Sequence, residues 1–494
     1  MTRRDLLSSG SGLLAGMPRA GAAVAGRPKN VLLLMSDQHR PHALGIDGDP
    51  YAKTPNLDGL AREGVRFDQT YCTNPVCTPA RASILTGLYT HNHRTWSNAV
   101  PWPFEIKTLA HHFGRAGYMS ALVGKMHFVD AQTHGFDYRL DFNDWYQYLG
   151  PKTKLYADEL GRANSGSGLP QIDDLWRDFG DPWLEAREKD GRKGSVHIGR
   201  ASKIAERDHF DSFIARETVR YLKNFGKKQP FFLVSSFLKP HDPYMPPERF
   251  ARMFPSQSVQ LPATWGKVDP EKVPREIRRR IELDAPTPEI AGADAARMRI
   301  AMYYANLAHL DDCLGQVLRG LAELGLEEDT LVIYTSDHGE MLGEHGLWNK
   351  FVFYEPSAGV PLIFRVPGRR QANARCATPV SHTELAATLL ELCGVETPAG
   401  LDGGSLVSLL AQPGTARDVA VYSEYGLRTK GAKYMIRRGD FKYSFYVNDT
   451  AELYNVREDP GEMKNLALLA EYREKAEEMK GQLFAWHKPP EMGV

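Results

Sequence analysis

Cysteine is scarce in this chain of 494 residues. The five present, Cys72, Cys77, Cys313, Cys376 and Cys393, are too few and too odd in number to describe a disulfide framework, so at least one thiol has another fate. An excess of either charge is also missing. Lys+Arg and Asp+Glu both number 61, and a chain with no net charge has no long-range field to hold nucleic acid or an anionic membrane. Any anion must be bound locally. No apolar stretch reaches membrane-spanning length, which predicts a soluble mature protein, and no internal repeat is present. The length exceeds what one hydrophobic core organises, so one large and one smaller domain are expected.

The chain starts with paired arginines, Arg3-Arg4, ahead of a short, weakly apolar stretch (Leu13 to Met17) that ends in Ala23-Val24-Ala25. That order fits a twin-arginine export signal over residues 1–25 and predicts a periplasmic or secreted protein; a disordered basic terminus is the other reading. Three continuous apolar runs follow, Asn30 to Ser36, Phe231 to Phe237 and Leu331 to Thr335. They alternate with helical candidates at Thr54 to Glu63, Pro79 to Leu85, Thr108 to Ala116, Phe210 to Asn224, Ala295 to Leu324 and His382 to Cys393. Runs apolar on both faces and alternating with helices predict buried strands of a parallel α/β sheet, with polar residues converging beyond the strands' carboxyl ends.

Residues 29–415 form the expected catalytic domain, interrupted by a polar stretch over 138–202 that carries Trp145, Tyr146, Tyr148, Trp176 and Trp183. This insertion either contacts substrate or is a surface excursion pinned by its aromatics. The run Arg275 to Arg280 predicts a solvated helix face rather than a polyanion site. Residues 416–494 hold short strand-like pieces (Val419 to Tyr422, Lys433 to Arg437, Lys442 to Tyr446) and a last helix from Ala470 to Trp486, a small α+β domain.

The sharpest local pattern is Cys77-Thr78-Pro79-Ala80-Arg81, continuing to Thr86-Gly87. Thr78 can cap a helix and Pro79 suits its first turn, which sets Cys77 beside free N–H groups where anions bind. Arg81, one turn on, can point back as a positive fork for a tetrahedral oxyanion. From the residues alone Cys77 is open between a thiolate nucleophile and an inert half-buried thiol. Asp37-Gln38 and Asp337-His338 each put two ligand-capable side chains where a strand turns into a loop. Lys125 and His127, spaced i, i+2, share a side if the segment is extended.

The Cys77 segment resembles the C-x-P-x-R signature of the sulfatases. Gly117-Tyr118 through Gly124-Lys125-Met126-His127 resembles their second signature, and the likeness runs from about Lys29 to about Leu466. The resemblance implies an alkaline-phosphatase-like α/β sandwich with a large, mostly parallel sheet, and a small C-terminal α+β domain with an antiparallel sheet. It implies that a formylglycine-generating enzyme converts Cys77 to formylglycine (3-oxoalanine) before folding, and that its hydrate attacks the sulfur of a sulfate monoester. It implies a divalent metal on Asp37, Gln38, Asp337, His338 and residue 77; Ca²⁺ is expected first, with Mg²⁺, Mn²⁺ or Zn²⁺ possible because His338 adds a nitrogen.

The same resemblance places Arg81, Lys125, His127, His241 and Lys350 in a basic ring. Lys125 holds a sulfate oxygen, His127 takes the proton that lets sulfate leave, and His241 and Lys350 hold the sulfate and protonate the departing alcohol. Gln38 and His338 depart from the commoner Asp-Asp and Asp-Asn pattern. They occur in relatives that resemble phosphonate monoester hydrolases, so a phosphonate monoesterase or phosphodiesterase is one alternative. Choline sulfate hydrolysis and a non-catalytic binding protein with unoxidised Cys77 are the others. A small-molecule or saccharide sulfate ester is the expected substrate.

Overall fold

The computed structural model describes residues 27–128, 132–156, 159, 199–284, 291–368, 373–429 and 431–488. The expected export signal and most of the 138–202 insertion, Trp176 and Trp183 included, lie outside these residues.

Nine strands build the large sheet: β1 (Asn30–Asp37), β2 (Val65–Tyr71), β3 (Met119–Gly124), β4 (Tyr138–Leu140), β5 (Phe231–Pro240), β6 (Thr330–Ser336), β7 (Gly359–Arg365), β8 (Ala374–Cys376) and β9 (Val380–Ser381). Their order is β4-β3-β5-β1-β6-β7-β2-β8, with β9 also on β2. β1 lies at the centre, parallel to β5 on one side and β6 on the other. All three are buried along their whole length, which is why each reads as an apolar run rather than an alternating one.

Alternate residues of these strands feed opposite layers. Leu32, Leu34, Leu233, Val332 and Tyr334 pack with side chains of the helices Phe210–Phe225 and Ala293–Glu323. Val31, Leu33, Met35, Val234 and Ile333 pack on the other face with the helices Cys77–Thr86, Leu109–Arg115 and Glu384–Cys393. The expected α/β sandwich is therefore the observed one. β7 is its exception, antiparallel to both β6 and β2.

A second sheet, antiparallel throughout, follows as β10 (Ala420–Tyr425), β11 (Lys433–Arg438), β12 (Phe441–Tyr446) and β13 (Glu452–Asn455). Arg438 pairs with Phe441, so Gly439-Asp440 is a two-residue turn, and Gly439 supplies the positive φ (57°) such turns need. Tyr434, Ile436, Tyr443 and Leu453 on one face bury Met479 and Leu483 of the closing helix, Arg473–Trp486. That helix starts three residues later than the sequence pattern suggests, after a 3₁₀ turn over Ala470–Tyr472.

Two segments sharpen the sequence reading. Within the described part of the aromatic insertion, Phe142–Leu149 is a helix capped by Asp141, with Phe142, Trp145 and Leu149 buried. Trp145 Nε1 donates to the Asp208 carbonyl at 2.8 Å, so this aromatic pins the segment. Arg275–Asp284 is the expected solvated helix: Ile277 points inward, while Arg275, Arg278 and Arg279 pair with Asp449, Glu271 and Glu276. Among the described residues no helix is long and apolar enough to cross a membrane.

Candidate active site

The ends of β5, β1 and β6 lie side by side, so adjacent parallel strands deliver their last polar residues to one place. β1 contributes Asp37, and Gln38 then adopts a left-handed backbone (φ 69°) that turns the chain away from the sheet. β6 runs into Asp337 and His338, and β5 into His241. The helix Cys77–Thr86 abuts these ends with every residue buried. Thr78 is not its cap: the helix starts at Cys77, and the Thr78 N–H is taken by Asn98 Oδ1 at 3.0 Å. Cys77 is thereby the first residue of a buried helix, facing the carboxylates.

Ligand-type atoms of Asp37, Cys77, Asp337 and His338 all lie within 4.8 Å of one another. Cys77 Sγ is 3.7 Å from Asp37 Oδ1 and 3.2 Å from His338 Nε2. Arg81 holds the frame together. Its Nε meets Asp337 Oδ2 at 2.8 Å and its NH2 meets Asp37 Oδ2 at 2.9 Å, while NH1 reaches the Lys125 carbonyl and Ser236 Oγ. The fork expected to face a bound oxyanion is thus committed to the two carboxylates, which outbid any more distant anion in a fully buried setting.

Lys125 Nζ lies 2.6 Å from Asp37 Oδ2. The extended geometry expected for Lys125 and His127 does not hold, because β3 ends at Gly124 and His127 has φ 59°. Half-buried His127 instead rests its Nδ1 on Thr78 Oγ1 at 3.0 Å. Lys350 closes the far side, 2.7 Å from His241 Nε2, 2.6 Å from Gln38 Oε1 and 3.6 Å from Cys77 Sγ. Its neighbours Asn349 and Phe351 both sit at positive φ (62° and 84°), strained backbone of the kind that concentrates at functional sites.

Burial opposes the Asp37 carboxylate, yet Lys125, His241, Arg81 and His338 together hold its pKa well below the usual range. Burial, with Asp37 alongside, pushes the Cys77 thiol up to about 12, so the unmodified residue is a poor thiolate nucleophile. Burial and the neighbouring Lys350 push His241 down to about 3, and burial takes His338 to about 4. Lys350 goes the other way: burial works against its ammonium, but Cys77, Asp37 and Asp242 raise its pKa. Lys350 therefore carries the proton and His241 accepts it.

The donor set suits a divalent cation. His338 Nδ1 bonds the Gly339 carbonyl at 2.9 Å, which directs the Nε2 lone pair at the cluster. Arg81 occupies the outer carboxylate oxygens, leaving Asp37 Oδ1 and Asp337 Oδ1 turned inward. Gln38 stands at the rim, its Nε2 donating to Glu340 and its Oε1 accepting from Lys350.

Glu340 and Asp242 escaped the sequence reading. Glu340 accepts the N–H groups of Leu342 and Asn349 at 2.8 and 2.7 Å as well as Gln38 Nε2, and so ties the Lys350 loop to β1. Asp242 orients the His241 ring by accepting from its Nδ1 through the backbone carbonyl at 2.6 Å, with Oδ1 3.1 Å away. The available signal was position: Asp242 directly follows His241, and Glu340 stands two residues after His338.

Acidic strand ends, a buried cysteine at a helix start and a surrounding set of cations are suited to the metal-assisted hydrolysis of an anionic ester. The family model described as Sulfatase matches residues 29–395, and one described as N-sulphoglucosamine sulphohydrolase, C-terminal, matches residues 343–488. The chain belongs to the sulfatase family and is a sulfuric-ester hydrolase. It is 32% identical to a choline-sulfatase of Rhizobium meliloti, over 90% of this chain and 83% of that enzyme. It is 27% identical to an arylsulfatase of Clostridium perfringens, over 91% and 92%. The crystal structure of the phosphonate monoester hydrolase of Agrobacterium radiobacter superposes with a TM-score of 0.73 at 27% identity, covering 93% of this chain and 95% of that one.

Proposed function

We propose that the protein cleaves sulfate monoesters of small alcohols or saccharides with a formylglycine made from Cys77 by a formylglycine-generating enzyme. Asp37, Gln38, Asp337, His338 and residue 77 would hold a divalent metal, Ca²⁺ in the first instance, with Mg²⁺, Mn²⁺ or Zn²⁺ as alternatives. The carrying observation is that Cys77 Sγ shares a 4.8 Å cluster with two carboxylates and an imidazole drawn from separate strand ends. An aldehyde hydrate at this residue supplies an oxygen nucleophile with a second hydroxyl for expelling sulfate, and a bound cation lowers the pKa of that nucleophile.

The chain's own residues account for the rest. Lys125 and Lys350 present ammonium groups to the sulfate oxygens, and Arg81 keeps both carboxylates ionised and in place. His127, anchored through Nδ1 on Thr78, has Nε2 left to accept the proton of the residue 77 hydroxyl. The Lys350–His241 pair shares one proton across 2.7 Å and delivers it to the departing alcohol oxygen. Export through the Arg3-Arg4 signal over residues 1–25 belongs to the same proposal, as does the division into a catalytic unit over 29–415 and a C-terminal unit over 416–494.

Gln38 and His338, together with the likeness to a phosphonate monoester hydrolase, favour one second reading, in which phosphonate monoesters or phosphodiesters are turned over on the same atoms. The decisive experiment co-expresses the chain with a formylglycine-generating enzyme and reads the residue 77 peptide by mass spectrometry, with rates on aryl sulfate, phosphonate monoester and phosphodiester side by side. The aldehyde and a dominant aryl-sulfate rate, both lost in Cys77→Ala, are expected. A thiol throughout an active preparation would overturn the nucleophile, and a dominant phosphonate rate would select the second reading.

A further inference from the structure

Away from the strand ends, a second group of ligand-type side chains meets where the small sheet abuts the loops of the large one. His91 lies on the short helix Thr90–His93, Glu424 on β10, and His487 directly after the closing helix. One donor atom of each lies within 4.8 Å of the other two. Three segments distant in sequence thus converge on one point.

The Glu424 side chain is wholly buried, whereas His91 and His487 are partly exposed. Among the described residues no lysine or arginine forms an ion pair with Glu424. Its carboxylate instead takes the His91 N–H at 2.8 Å and His91 Nδ1 at 3.0 Å. The His487 ring lies face to face with that of His91, centroids 4.0 Å apart and planes 19° from parallel. Half-buried Trp486 walls the group on one side, stacked on Tyr422 at 4.4 Å and edge-on to Tyr89 and His91. An aromatic wall, a buried carboxylate with no lysine or arginine ion pair among the described residues, and two partly exposed imidazoles make a three-ligand group whose fourth position water from the open side can fill.

We propose that His91, Glu424 and His487 bind a second divalent cation, zinc or one of similar borderline softness, which fastens the end of the chain to the catalytic unit. Two imidazole nitrogens and one carboxylate oxygen are a zinc-type donor set, whereas calcium and magnesium favour all-oxygen shells. Binding requires each ring to tip about its Cβ–Cγ bond so that one nitrogen from each faces Glu424. None of these residues takes part in the strand-end cluster, so the two metals would be chosen independently.

The test compares the full-length enzyme with His487→Ala after dialysis against Zn²⁺ with the catalytic metal in excess, zinc being counted by plasma mass spectrometry. The enzyme is expected to hold one zinc equivalent more than the variant, with zinc affinity there weakened by roughly tenfold or more. Added Zn²⁺ should raise the Tm of the enzyme and not that of the variant. Co²⁺ should give a visible absorption band that disappears with His487. Glu424→Gln repeats the comparison, but Glu424 is buried and its loss can disturb folding, so the end-of-helix variant decides. Equal zinc content and equal zinc-induced Tm shifts in the two proteins would overturn the proposal.

Discussion

The two sheets solve different problems with different residues. The central strands of the large sheet are buried on both faces and release charge only at their tips, where Asp37, Asp337 and Arg81 meet with no exposed surface. The small sheet packs one face on its helix and the other on the large unit, and its charges are spread along the strands, some buried, as in Lys442 between Glu355 and Glu462, and some on the surface, as in Arg438 pairing with Asp418. Charge at a buried strand tip has no water to fall back on, so each group there depends on its partner. Charge at the small sheet's outer edge, as in Arg438 and Asp418, is screened and replaceable. The large sheet therefore concentrates its buried charge at one point, and the small sheet distributes its own along the strands.

The largest effect should come from removing the clamp. Arg81→Ala leaves two wholly buried carboxylates facing each other, which costs about 3–5 kcal/mol in chemical denaturation and abolishes turnover. A loss below about 1 kcal/mol would mean that the strand tips are not electrostatically committed, and the contrast between the sheets would fail.

Next comes Leu453→Ala on β13. The cavity it opens under the closing helix should cost about 2–4 kcal/mol, while kcat/KM on an aryl sulfate stays that of the parent enzyme. A large fall in kcat/KM, with the protein still folded, would show that the small sheet shapes the site after all.

A third effect is a pH dependence contributed by two buried histidines of the large unit. Burial drives both His93 and His209 down to about 3, whereas an unfolded chain protonates them near 6.5. Their contribution is whole above pH 6.5 and is lost as pH falls from there towards 3, at about 1.4 kcal/mol per pH unit for each. Tm measured from pH 7 to pH 5 should fall, and His93→Gln with His209→Gln should flatten the slope. An unchanged slope in the double variant would place the acid sensitivity elsewhere.

How much of this was legible beforehand follows from the same contrast. β1, β5 and β6 declare themselves because burial on both faces leaves nothing polar until the strand ends, and the first polar residues past those ends are the site. β7, Gly359–Arg365, has the same apolar signature, and nothing in it marks its reversed direction, which depends on where the chain returns to the sheet. Spacing placed Arg81 one helical turn from Cys77. It did not show that Asp37 and Asp337 would claim the guanidinium, because that competition exists only once two strands are adjacent. Glu340 and Asp242 were hidden for a similar reason: each acts on a neighbour that the loops after β6 and β5 bring into reach. The small sheet was legible in pieces, its hairpin turn at Gly439-Asp440 being local, while its closing helix began late because Ala470–Tyr472 winds too tightly to join it.

Cys77 is only 1% exposed, at the start of a helix buried from end to end. On the proposed route its conversion needs a visiting enzyme to reach the side chain, and the described residues hold it too deep for a protein to close around it, though not for a small ester to reach. Each molecule would then be competent or inert from birth, with no later repair. The specific activity of a preparation would record the outcome of a race during biosynthesis, and titrating aldehyde against total protein would reveal its score.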